Sequence, residues 1–391
     1  MKARSVAFIV ASALTVLTLT AVSSPSQAAP PSLDVEVLED GLSIPWDLTF
    51  LPDGAMLFTQ RDLKTVTLRK TNGDTNVVLT SLAANAQGMW NNGETGLMGI
   101  EADTTDSTGL TFFTCHGYKS GTTQDVRVVR WRLNAERTSA TLDRTLFGGL
   151  PSTTGRHGGC ALLKGGSYAL YVGTGDAATG KNPQSRTSGG GKVLRVDTRT
   201  GAGWSTNPYI SSSVAMKRRL FTYGHRNVQG LARHSSARVW SVEHGSYRDD
   251  EVNALVSGGN YGWNPVPRRA GDPSYNEGSN SPMTDYAIKG TQRGAAWRSG
   301  DPTVATSGAT FLYGSMWGEY EGRLAVTALK DQSLRIIPVT SKYDLGSSTR
   351  PPALNGTFGR LRAAVQGPDG ALYLTTSNGG GTDKILRVTP N

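Results

Sequence analysis

Cysteine is scarce in this sequence, with two residues among 391. Two cysteines cannot build a disulfide-framework mini-protein or a four-cysteine zinc site. No C-x-x-C-H motif is present, and no G-x-G-x-x-G follows a strand-like run, so the usual haem-attachment and nicotinamide-binding motifs are missing. No run of five or more Lys or Arg occurs, which argues against a basic nucleic-acid-binding tail. Glycine and proline are abundant, with 48 and 18 residues, and they predict a turn-rich fold.

The first 29 residues are typical of a secretory signal peptide. Lys2 and Arg4 form a basic start, an apolar run follows from about residue 6 to residue 22, and Ala28 and Ala29 offer small side chains for cleavage. A single membrane anchor is the alternative, but Ser and Thr interrupt the run. No later segment approaches the roughly 18 consecutive apolar residues of a membrane span. We therefore expect a secreted or otherwise extracytoplasmic protein without an integral membrane segment after cleavage.

The net charge is positive. The formal charge of +9 falls to +7 when residues 1–29 are removed, because Lys2 and Arg4 leave and no acid does. Such an excess fits nucleic acid, an anionic surface or an anionic ligand, and export argues against nucleic acid. An oxidising compartment also permits Cys115 and Cys160 to form a disulfide. Because each lies in an apolar, strand-like stretch, two buried free thiols are the alternative.

Short strand-like runs dominate the rest of the chain and recur in pairs. Each pair consists of a turn, a strand, a Gly- or Asp-containing turn and a second strand. Six pairs occur, starting near residues 51, 96, 168, 238, 323 and 367. Repeats of this kind, each completed to about four strands, are how a β-propeller avoids open sheet edges. The sequence predicts an all-β fold over residues 30–391, a six-bladed β-propeller of four-stranded antiparallel blades.

Two further features refine this prediction. A strand near residues 34–39 is expected to complete the last blade and close the ring. Segments 197–222 and 264–307 are poor in strands and are expected to be inserted loops, which commonly carry function on one face of a scaffold. Two stacked β-sandwiches are the alternative architecture, but they would not explain six similar strand pairs.

Polar residues are densest in three segments, which are residues 223–231, 243–251 and 258–263. The second ends in three successive acids, Asp249, Asp250 and Glu251, and a Gly-rich turn comes shortly after. Carboxylates and backbone carbonyls are the hard oxygen ligands that Ca²⁺ takes, although the EF-hand spacing is absent. A solvated acidic turn is the alternative.

Two other positions carry candidate chemistry. His157 lies in a Gly-rich loop just before a strand, where an imidazole can serve as a general base; a structural histidine is the alternative. Arg360 and Arg362 lie on the same side of one strand, because side chains alternate. A pair of guanidinium groups suits a bidentate grip on carboxylates, and a salt-bridged surface strand is the alternative.

The chain resembles the soluble quinoprotein glucose/sorbosone dehydrogenase family over nearly the whole mature length. The motifs that carry the resemblance most strongly are YGHRNVQGLA at 223–232 and SVEHGSYRDDEVNALVSGGNYGW at 241–263. Five shorter blocks along the chain also match, in the same order as in the family, namely GETGLMGI, RHGG, GKVLRVD, ALKD and GRLRAAVQGPDGALY. The resemblance implies a six-bladed propeller that binds pyrroloquinoline quinone (PQQ) with Ca²⁺ and oxidises aldoses.

The resemblance also implies roles for individual residues. His157 matches the catalytic base, which takes the proton of the anomeric hydroxyl as the C1 hydride moves to the quinone. Arg226 matches a residue beside the reactive quinone carbonyl and counts as catalytic and cofactor-binding. The other implied cofactor contacts are Glu94, Asn227, Lys330, Arg360 and Arg362. The backbone carbonyls of Gly245 and Ser246 match the ligands of the Ca²⁺ that polarises the quinone, and Asp250, Glu251 and Tyr261 match a second, structural Ca²⁺ site.

Three positions depart from the family's pattern. Arg156 stands where glucose-specific members carry Asp, Glu94 where some members carry Gln, and Ser246 where Pro is usual. The serine changes little, because the implied ligand is a backbone oxygen. The substrate loops also differ, which indicates a broader aldose dehydrogenase rather than a strict glucose enzyme.

The expected function is therefore oxidation of the C1 hydroxyl of aldose sugars to lactones, with electrons passed to an external acceptor such as a quinone, a cytochrome or a dye. A separate acceptor is needed because no haem or nicotinamide motif is present. A propeller that has lost catalysis and binds a partner or a polysaccharide is the alternative, which Arg156 and Glu94 motivate. A metal-dependent lactonase ranks last, because it would need inward carboxylates from several blades whereas this chain concentrates cations.

Overall fold

Six small antiparallel sheets arranged as the blades of a β-propeller form the protein. The computed structural model describes residue 1, residues 30–278 and residues 281–391. Apart from residue 1, the predicted signal peptide lies outside the described residues. The first strand, β1 (Leu33–Leu42), belongs to the last blade.

Blades 1 to 3 have four strands each, in chain order from the centre outward. Blade 1 consists of β2 (Pro45–Phe50), β3 (Met56–Gln60), β4 (Thr65–Arg69) and β5 (Thr75–Leu79). Blade 2 consists of β6 (Leu97–Ala102), β7 (Thr111–Ser120), β8 (Thr123–Leu133) and β9 (Ala140–Leu150). Blade 3 consists of β10 (Gly159–Lys164), β11 (Ala169–Thr174), β12 (Lys192–Asp197) and β13 (Leu220–Tyr223).

Blades 4 to 6 differ in how their outer strand is made. Blade 4 consists of β14 (Val228–Arg233), β15 (Val239–Glu243), β16 (Glu251–Ala254) and the short β17 (Trp297–Arg298). Blade 5 has three strands, β18 (Thr306–Phe311), β19 (Leu324–Ala328) and β20 (Ser333–Ile337). Isolated antiparallel bridges from β20 to Asn355 and Thr349 lie where its fourth strand would be. Blade 6 consists of β21 (Leu361–Gln366), β22 (Leu372–Thr376), β23 (Asp383–Pro390) and β1.

Helices are few and short in the described part of the chain. They are α1 (Ser81–Ala86), α2 (Ala215–Arg219) and two 3-10 helices, Ser315–Tyr320 and Pro352–Leu354. None of the helices among the described residues has the length and apolar character needed to cross a membrane.

Strand β1 closes the ring by pairing with β23. Val35 lies opposite Val388 and Val37 opposite Leu386, so the chain start and the chain end share one sheet. This pairing gives the last blade an outer strand from the start of the chain and ties both ends of the ring together. The predicted six-bladed propeller and its closure by the first strand are confirmed, and five of the blades have the predicted four strands.

The core lies between neighbouring blades. Strand β11 is buried at all six positions, because adjacent blades cover both faces of its sheet. Strands buried on both faces are continuous apolar runs rather than alternating ones. One apolar cluster joins three blades and contains Trp46, Phe113 and Leu170.

Cys115 of β7 and Cys160 of β10 form a disulfide, with their Cα atoms 5.5 Å apart. The predicted bridge is confirmed, and the alternative of two free thiols is excluded. The bond links blade 2 to blade 3 across 45 residues of sequence.

The innermost strands of the six blades, β2, β6, β10, β14, β18 and β21, surround a central channel of about 240 Å³. Because each blade begins at its inner strand and its strands alternate in direction, all six inner strands run the same way. The loops that precede the inner strands, and those that join the second strand of a blade to the third, therefore open on one face, which we call the loop face.

The two segments predicted to be loops contain little regular structure. Residues 197–222 contain only α2 and the start of β13 after the end of β12. In the described part of 264–307, the strands are β17 and the start of β18. Asn260, just before the second segment, bridges Tyr223 of blade 3 and also Gln292. This long connection thus runs beside blade 3 before the chain enters β17.

Candidate active site

His157 lies at the loop face, at the entrance to strand β10, and only 3% of it is exposed. Its backbone has a φ of 54°, in the left-handed region. The loop packs closely on the end of β11, where a Cβ at Gly175 would lie 1.9 Å from the carbonyl oxygen of His157. Glycine at 175 therefore allows His157 to approach the residue that follows, Asp176.

Asp176 is fully buried and orients the imidazole. Its Oδ1 lies 2.8 Å from Nδ1 of His157, and its Oδ2 accepts bonds of 2.8 Å from Nε1 of Trp263 and from the hydroxyl of Tyr275. A carboxylate at Nδ1 favours the tautomer with its proton on that nitrogen. Nε2 is then the basic nitrogen of His157. Burial and the charge of Asp176 raise the pKa of Tyr275, so its hydroxyl stays a donor.

Arg226 and Asn227 are positioned by a buried network around Glu243. Oε2 of Glu243 accepts a 2.7 Å bond from the backbone N–H of Arg226, and Oε1 lies 2.8 Å from Nδ1 of His225. Oδ1 of Asn227 accepts a 3.1 Å bond from the backbone N–H of Gly159, two residues after His157. The network therefore fixes both residues beside the loop that carries His157.

Glu94 belongs to the same cluster. Its Oε2 accepts bonds from the backbone N–H of His157 at 3.1 Å and from Nδ2 of Asn227 at 3.3 Å. The carboxylate of Glu94, at the position where some family members carry Gln, therefore has hydrogen-bond donors within the site.

Arg156, the other departure from the family pattern, is tied to a carboxylate that sequence reasoning did not single out. It forms an ion pair with Glu277, whose other oxygen lies 2.7 Å from Nη2 of Arg226. Arg156 is about half exposed, whereas Arg226 is buried.

Positive charge gathers beside these residues, where the site meets the channel. The guanidinium of Arg362 lies 3.6 Å above the ring of Trp46, and Arg61 lies over the same ring at 5.4 Å. Burial, and next the positive charges of Arg61 and Arg360, lower the pKa of Arg362 to about 9. A buried cation surrounded by other cations is stabilised by an anionic ligand.

In the described part of the chain, buried polar atoms without partners at the same place, one of them the guanidinium donor Nε of Arg226, point to a polar ligand that includes acceptors. Among the described residues, the buried Nε of Arg226 and Nε2 of His244 have no hydrogen-bond partner. Burial, followed by the positive charges of Arg226 and Arg362, lowers the pKa of His244 well below its usual value. Buried polar atoms normally have partners. A quinone that carries three carboxylates would supply both the negative charge and the acceptors, so the residues present fit PQQ.

The structure places the predicted cofactor residues at different depths. Arg362 is buried at the start of β21 and lies 3.3 Å from Oε1 of Gln229, which in turn contacts Asn227. Nε of Arg360 donates to the backbone carbonyl of Ser377. Lys330 is exposed in the β19–β20 connection, on the loop face but outside the hydrogen-bonded cluster around His157.

The predicted metal ligands form a compact loop. Gly245 is buried and Ser246 half-buried, and Oδ1 of Asp250 accepts a 2.8 Å bond from the backbone N–H of Gly245. Oδ2 of Asp250 accepts bonds from the N–H groups of Val304 and Ala305 at 2.5 and 2.7 Å, so this carboxylate anchors two loops.

Glu251 and Tyr261 also have protein partners. Glu251 pairs with Arg298 at 3.4 Å, and the hydroxyl of Tyr261 donates to the carbonyl of Ala254 at 2.7 Å. Within the described ranges, no group of three or more His, Cys, Asp or Glu side chains is placed to hold a metal ion. Backbone carbonyls are a different kind of ligand, and the roles of Gly245, Ser246, Asp250, Glu251 and Tyr261 stay predictions.

Sequence reasoning missed four residues of the site, namely Asp176, Trp263, Tyr275 and Glu277. Asp176 had a usable signal, because it is an acid two residues after the apolar strand β11, at the end of that strand that lies beside His157. Trp263 closes the GGNYGW block, but nothing local indicates that its indole reaches blade 3. Tyr275 and Glu277 lie in the long connection, whose course is fixed only by tertiary contacts.

Comparison with known proteins agrees with this architecture. The family model for glucose/sorbosone dehydrogenase matches residues 42–387. The aldose sugar dehydrogenase YliI of Escherichia coli is 28% identical over 380 residues, covering 95% of this chain and 97% of that protein.

Two solved structures share the fold along nearly their whole length. A putative oxidoreductase (glucose dehydrogenase) of Thermus thermophilus is 32% identical with a TM-score of 0.73, covering 91% of this chain and all of that one. The PQQ-bound aldose sugar dehydrogenase of Streptomyces coelicolor is 28% identical with a TM-score of 0.70, covering 93% of this chain and all of that one. The family match spans most of the propeller, and the chain belongs to the glucose/sorbosone dehydrogenase family.

Proposed function

We propose that this protein is an exported, PQQ- and Ca²⁺-dependent aldose dehydrogenase that oxidises the C1 hydroxyl of aldose sugars to lactones. The observation that carries the proposal is the buried His157–Asp176 pair at 2.8 Å beside a group of cations that includes Arg226, whose buried Nε has no partner among the described residues. The names of the relatives support it, since one is an aldose sugar dehydrogenase and another was solved with PQQ bound.

His157 acts as the general base. Its Nδ1 is held by Asp176, so Nε2 can take the proton of the C1 hydroxyl while the C1 hydride leaves. The buried carboxylate of Asp176 stabilises the imidazolium that forms, and the hydroxyl of Tyr275, 3.2 Å from Nδ1, limits rotation of the ring.

Cationic side chains and two of their neighbours hold the cofactor. Arg226, Asn227 and Glu94 lie next to the base, and Lys330, Arg360 and Arg362 are the residues for the carboxylates and quinone oxygens. PQQ, with a Ca²⁺ on the carbonyls of Gly245 and Ser246 to polarise it, would supply the two-electron acceptor for the hydride. Asp250, Glu251 and Tyr261 are the candidates for a second Ca²⁺.

Electrons leave through an external quinone, cytochrome or dye. Export rests on residues 1–29, and the disulfide between Cys115 and Cys160 suits an oxidising compartment.

The first experiment is calorimetric titration of PQQ into mature, metal-stripped protein with and without Ca²⁺. We expect Ca²⁺-dependent binding at about one site per chain. His157→Ala should bind PQQ as the wild type does while kcat on an aldose falls by roughly 10²–10⁴, the usual contribution of a general base. His234→Ala, which changes an imidazole in the β14–β15 turn, is the control. Absence of PQQ binding in both conditions would contradict the proposal.

A further inference from the structure

A second carboxylate lies at the site, contributed by the long connection between β16 and β17. One oxygen of Glu277 accepts from Nη2 of Arg156 and the other from Nη2 of Arg226. Arg156 precedes His157 in the chain, and Tyr275, two residues before Glu277, contacts His157 and Asp176. Glu277 thus lies at the edge of the space that the base faces.

We propose that Glu277 is a specificity residue that binds sugar hydroxyls and restricts the site to neutral sugars. The inference rests on the proposed function. It assigns a sugar-binding carboxylate to Glu277, which pairs with the arginine at position 156 of this chain.

The charge state of Glu277 suits this task. Burial alone would raise the pKa of Glu277, but the charges and hydrogen bonds of Arg226 and Arg156 outweigh burial and hold the pKa below its usual value. An ionised carboxylate only accepts hydrogen bonds, with about two lone-pair sites on each oxygen. Among the described residues, each oxygen of Glu277 receives one arginine donor, which leaves one lone-pair site on each oxygen for a hydroxyl.

Glu277 is also reachable. Its side chain is 24% exposed, whereas that of Arg226 is 6% exposed. The guanidinium of Arg156 lies 5.7 Å from the centre of the Tyr275 ring, so Arg156 is packed beside the same loop. Adjacent hydroxyls of a sugar could then be held by Glu277 and by those guanidinium N–H groups of Arg156 that have no hydrogen-bond partner among the described residues.

The same arrangement disfavours anionic sugars. Glu277 would repel the carboxylate of a uronic acid, and its charge offsets part of the positive charge of Arg156 and Arg226 that would attract one. The residue that disfavours a negatively charged sugar therefore lies in the connection between β16 and β17 and not in a strand.

The test is Glu277→Gln in the PQQ- and Ca²⁺-loaded protein. The amide keeps the size of the side chain and one acceptor oxygen for Arg226, but it loses the charge and frees Arg156. We expect the KM for a neutral aldose to rise at least about tenfold, with kcat within about threefold of wild type, because the His157–Asp176 pair is untouched. The preference in kcat/KM for the aldose over its uronic acid should fall at least about tenfold. Calorimetry should still give one PQQ per chain.

The matched control is Asp272→Asn, which removes one charge from the same loop outside the site. Its KM and sugar preference should equal those of the wild type. An unchanged KM and preference in Glu277→Gln would overturn the inference, whether or not PQQ binds more tightly. An equal rise of KM in Asp272→Asn would also overturn it, because loop shape would then be the cause. A wild-type protein that binds no PQQ would instead remove the proposed function and this inference together.

Discussion

A single buried carboxylate determines how His157 can act. Asp176 has no exposed surface and accepts from His157, Trp263 and Tyr275, which come from two different parts of the chain. Arg156 stands next to the proposed base, His157, yet His157 still has a carboxylate partner because Asp176 reaches it from beyond the end of β11.

Asp176→Asn should reduce kcat by roughly 10²–10⁴ while the dissociation constant of PQQ stays within about threefold of wild type. An amide at this position no longer favours the tautomer with Nε2 free, and it stabilises an imidazolium less well. Steady-state kinetics with an aldose, together with PQQ calorimetry, measure both quantities. Asp197→Asn, at the far end of β12, is the control. Wild-type kcat in Asp176→Asn would mean that this carboxylate does not orient the base.

At the scale of the element, the β11–β12 connection is held by one buried ammonium. Nζ of Lys192, at the start of β12, donates to the backbone carbonyls of Asn182 at 2.7 Å and Pro183 at 3.0 Å, and also to that of Gly190. Burial lowers the pKa of Lys192 to about 7, and the charge of Asp176 opposes this shift. The connection contains Asp176, so Lys192 holds in place the loop that orients His157, the proposed base.

Lys192→Met should lower the free energy of unfolding by about 1–3 kcal/mol, because several buried carbonyls lose their donor. It should also lower kcat, since the loop that contains Asp176 loses the hydrogen bonds from Nζ of Lys192. Urea unfolding and kinetics of the loaded protein measure the two effects. Lys70→Met in the exposed β4–β5 turn should change neither. A stable Lys192→Met protein with full kcat would show that the loop does not depend on the ammonium.

At the scale of the whole molecule, the closed ring places two acidic side chains, Asp47 and Glu101, in the central channel. Burial, and next the charge of Asp47, raise the pKa of Glu101 to about 8, and burial raises the pKa of Asp47 to about 7. Both residues lie on inner strands, β6 and β2, and line the channel. The charges of Lys164, acting on Glu101, and of Arg362, acting on Asp47, oppose these shifts.

The contribution of Glu101 to stability should therefore fall as the pH rises. Below the ordinary pKa of a glutamate, 4.5, Glu101 is protonated in both the folded and the unfolded state, and its contribution is complete. Between that value and about 8 the folded state binds a proton that the unfolded state has released, so the contribution is lost as pH rises through this window.

Glu101→Gln should remove the part of the pH dependence of stability that Glu101 causes. We expect the variant to be more stable than wild type by about 1–3 kcal/mol at pH 8, and no more stable at pH 4. Urea unfolding across this range measures the difference, with Glu136→Gln in the exposed β8–β9 turn as the control. If the free energies of unfolding of wild type and Glu101→Gln changed with pH in parallel, the raised pKa of Glu101 would be contradicted.

Much of the fold could be predicted because its signals are local. Each of the six strand pairs recognised in the sequence is part of one blade, and the strand near residues 34–39 is β1. Turn residues and apolar runs act within about ten residues of each other, so a sequence displays them directly. The single three-stranded blade was not foreseen, because its outer position is filled by bridges to Thr349 and Asn355 rather than by a regular strand.

The candidate site could be predicted only in part. His157, Arg226 and Asn227 lie together, and the motifs that contain them indicate this. Trp263, Tyr275 and Glu277 reach the same place through a long connection without periodicity, so no local pattern predicts their position. Lys330 was predicted from its motif, and its exposed side chain shows that a motif places a residue on a face without fixing its contacts.

The sequence by itself determined the blade count, the closing strand and the family, because turn residues, apolar runs and long motifs are properties of neighbouring residues. Tertiary structure alone decided which side chains meet at the end of the channel. Asp176 and His157 are 19 residues apart, and Glu277 is 121 residues from Arg156. The first contact forms across the β10–β11 hairpin, where Gly159 lies opposite Thr174, and the second forms only when the long connection between β16 and β17 packs beside blade 3.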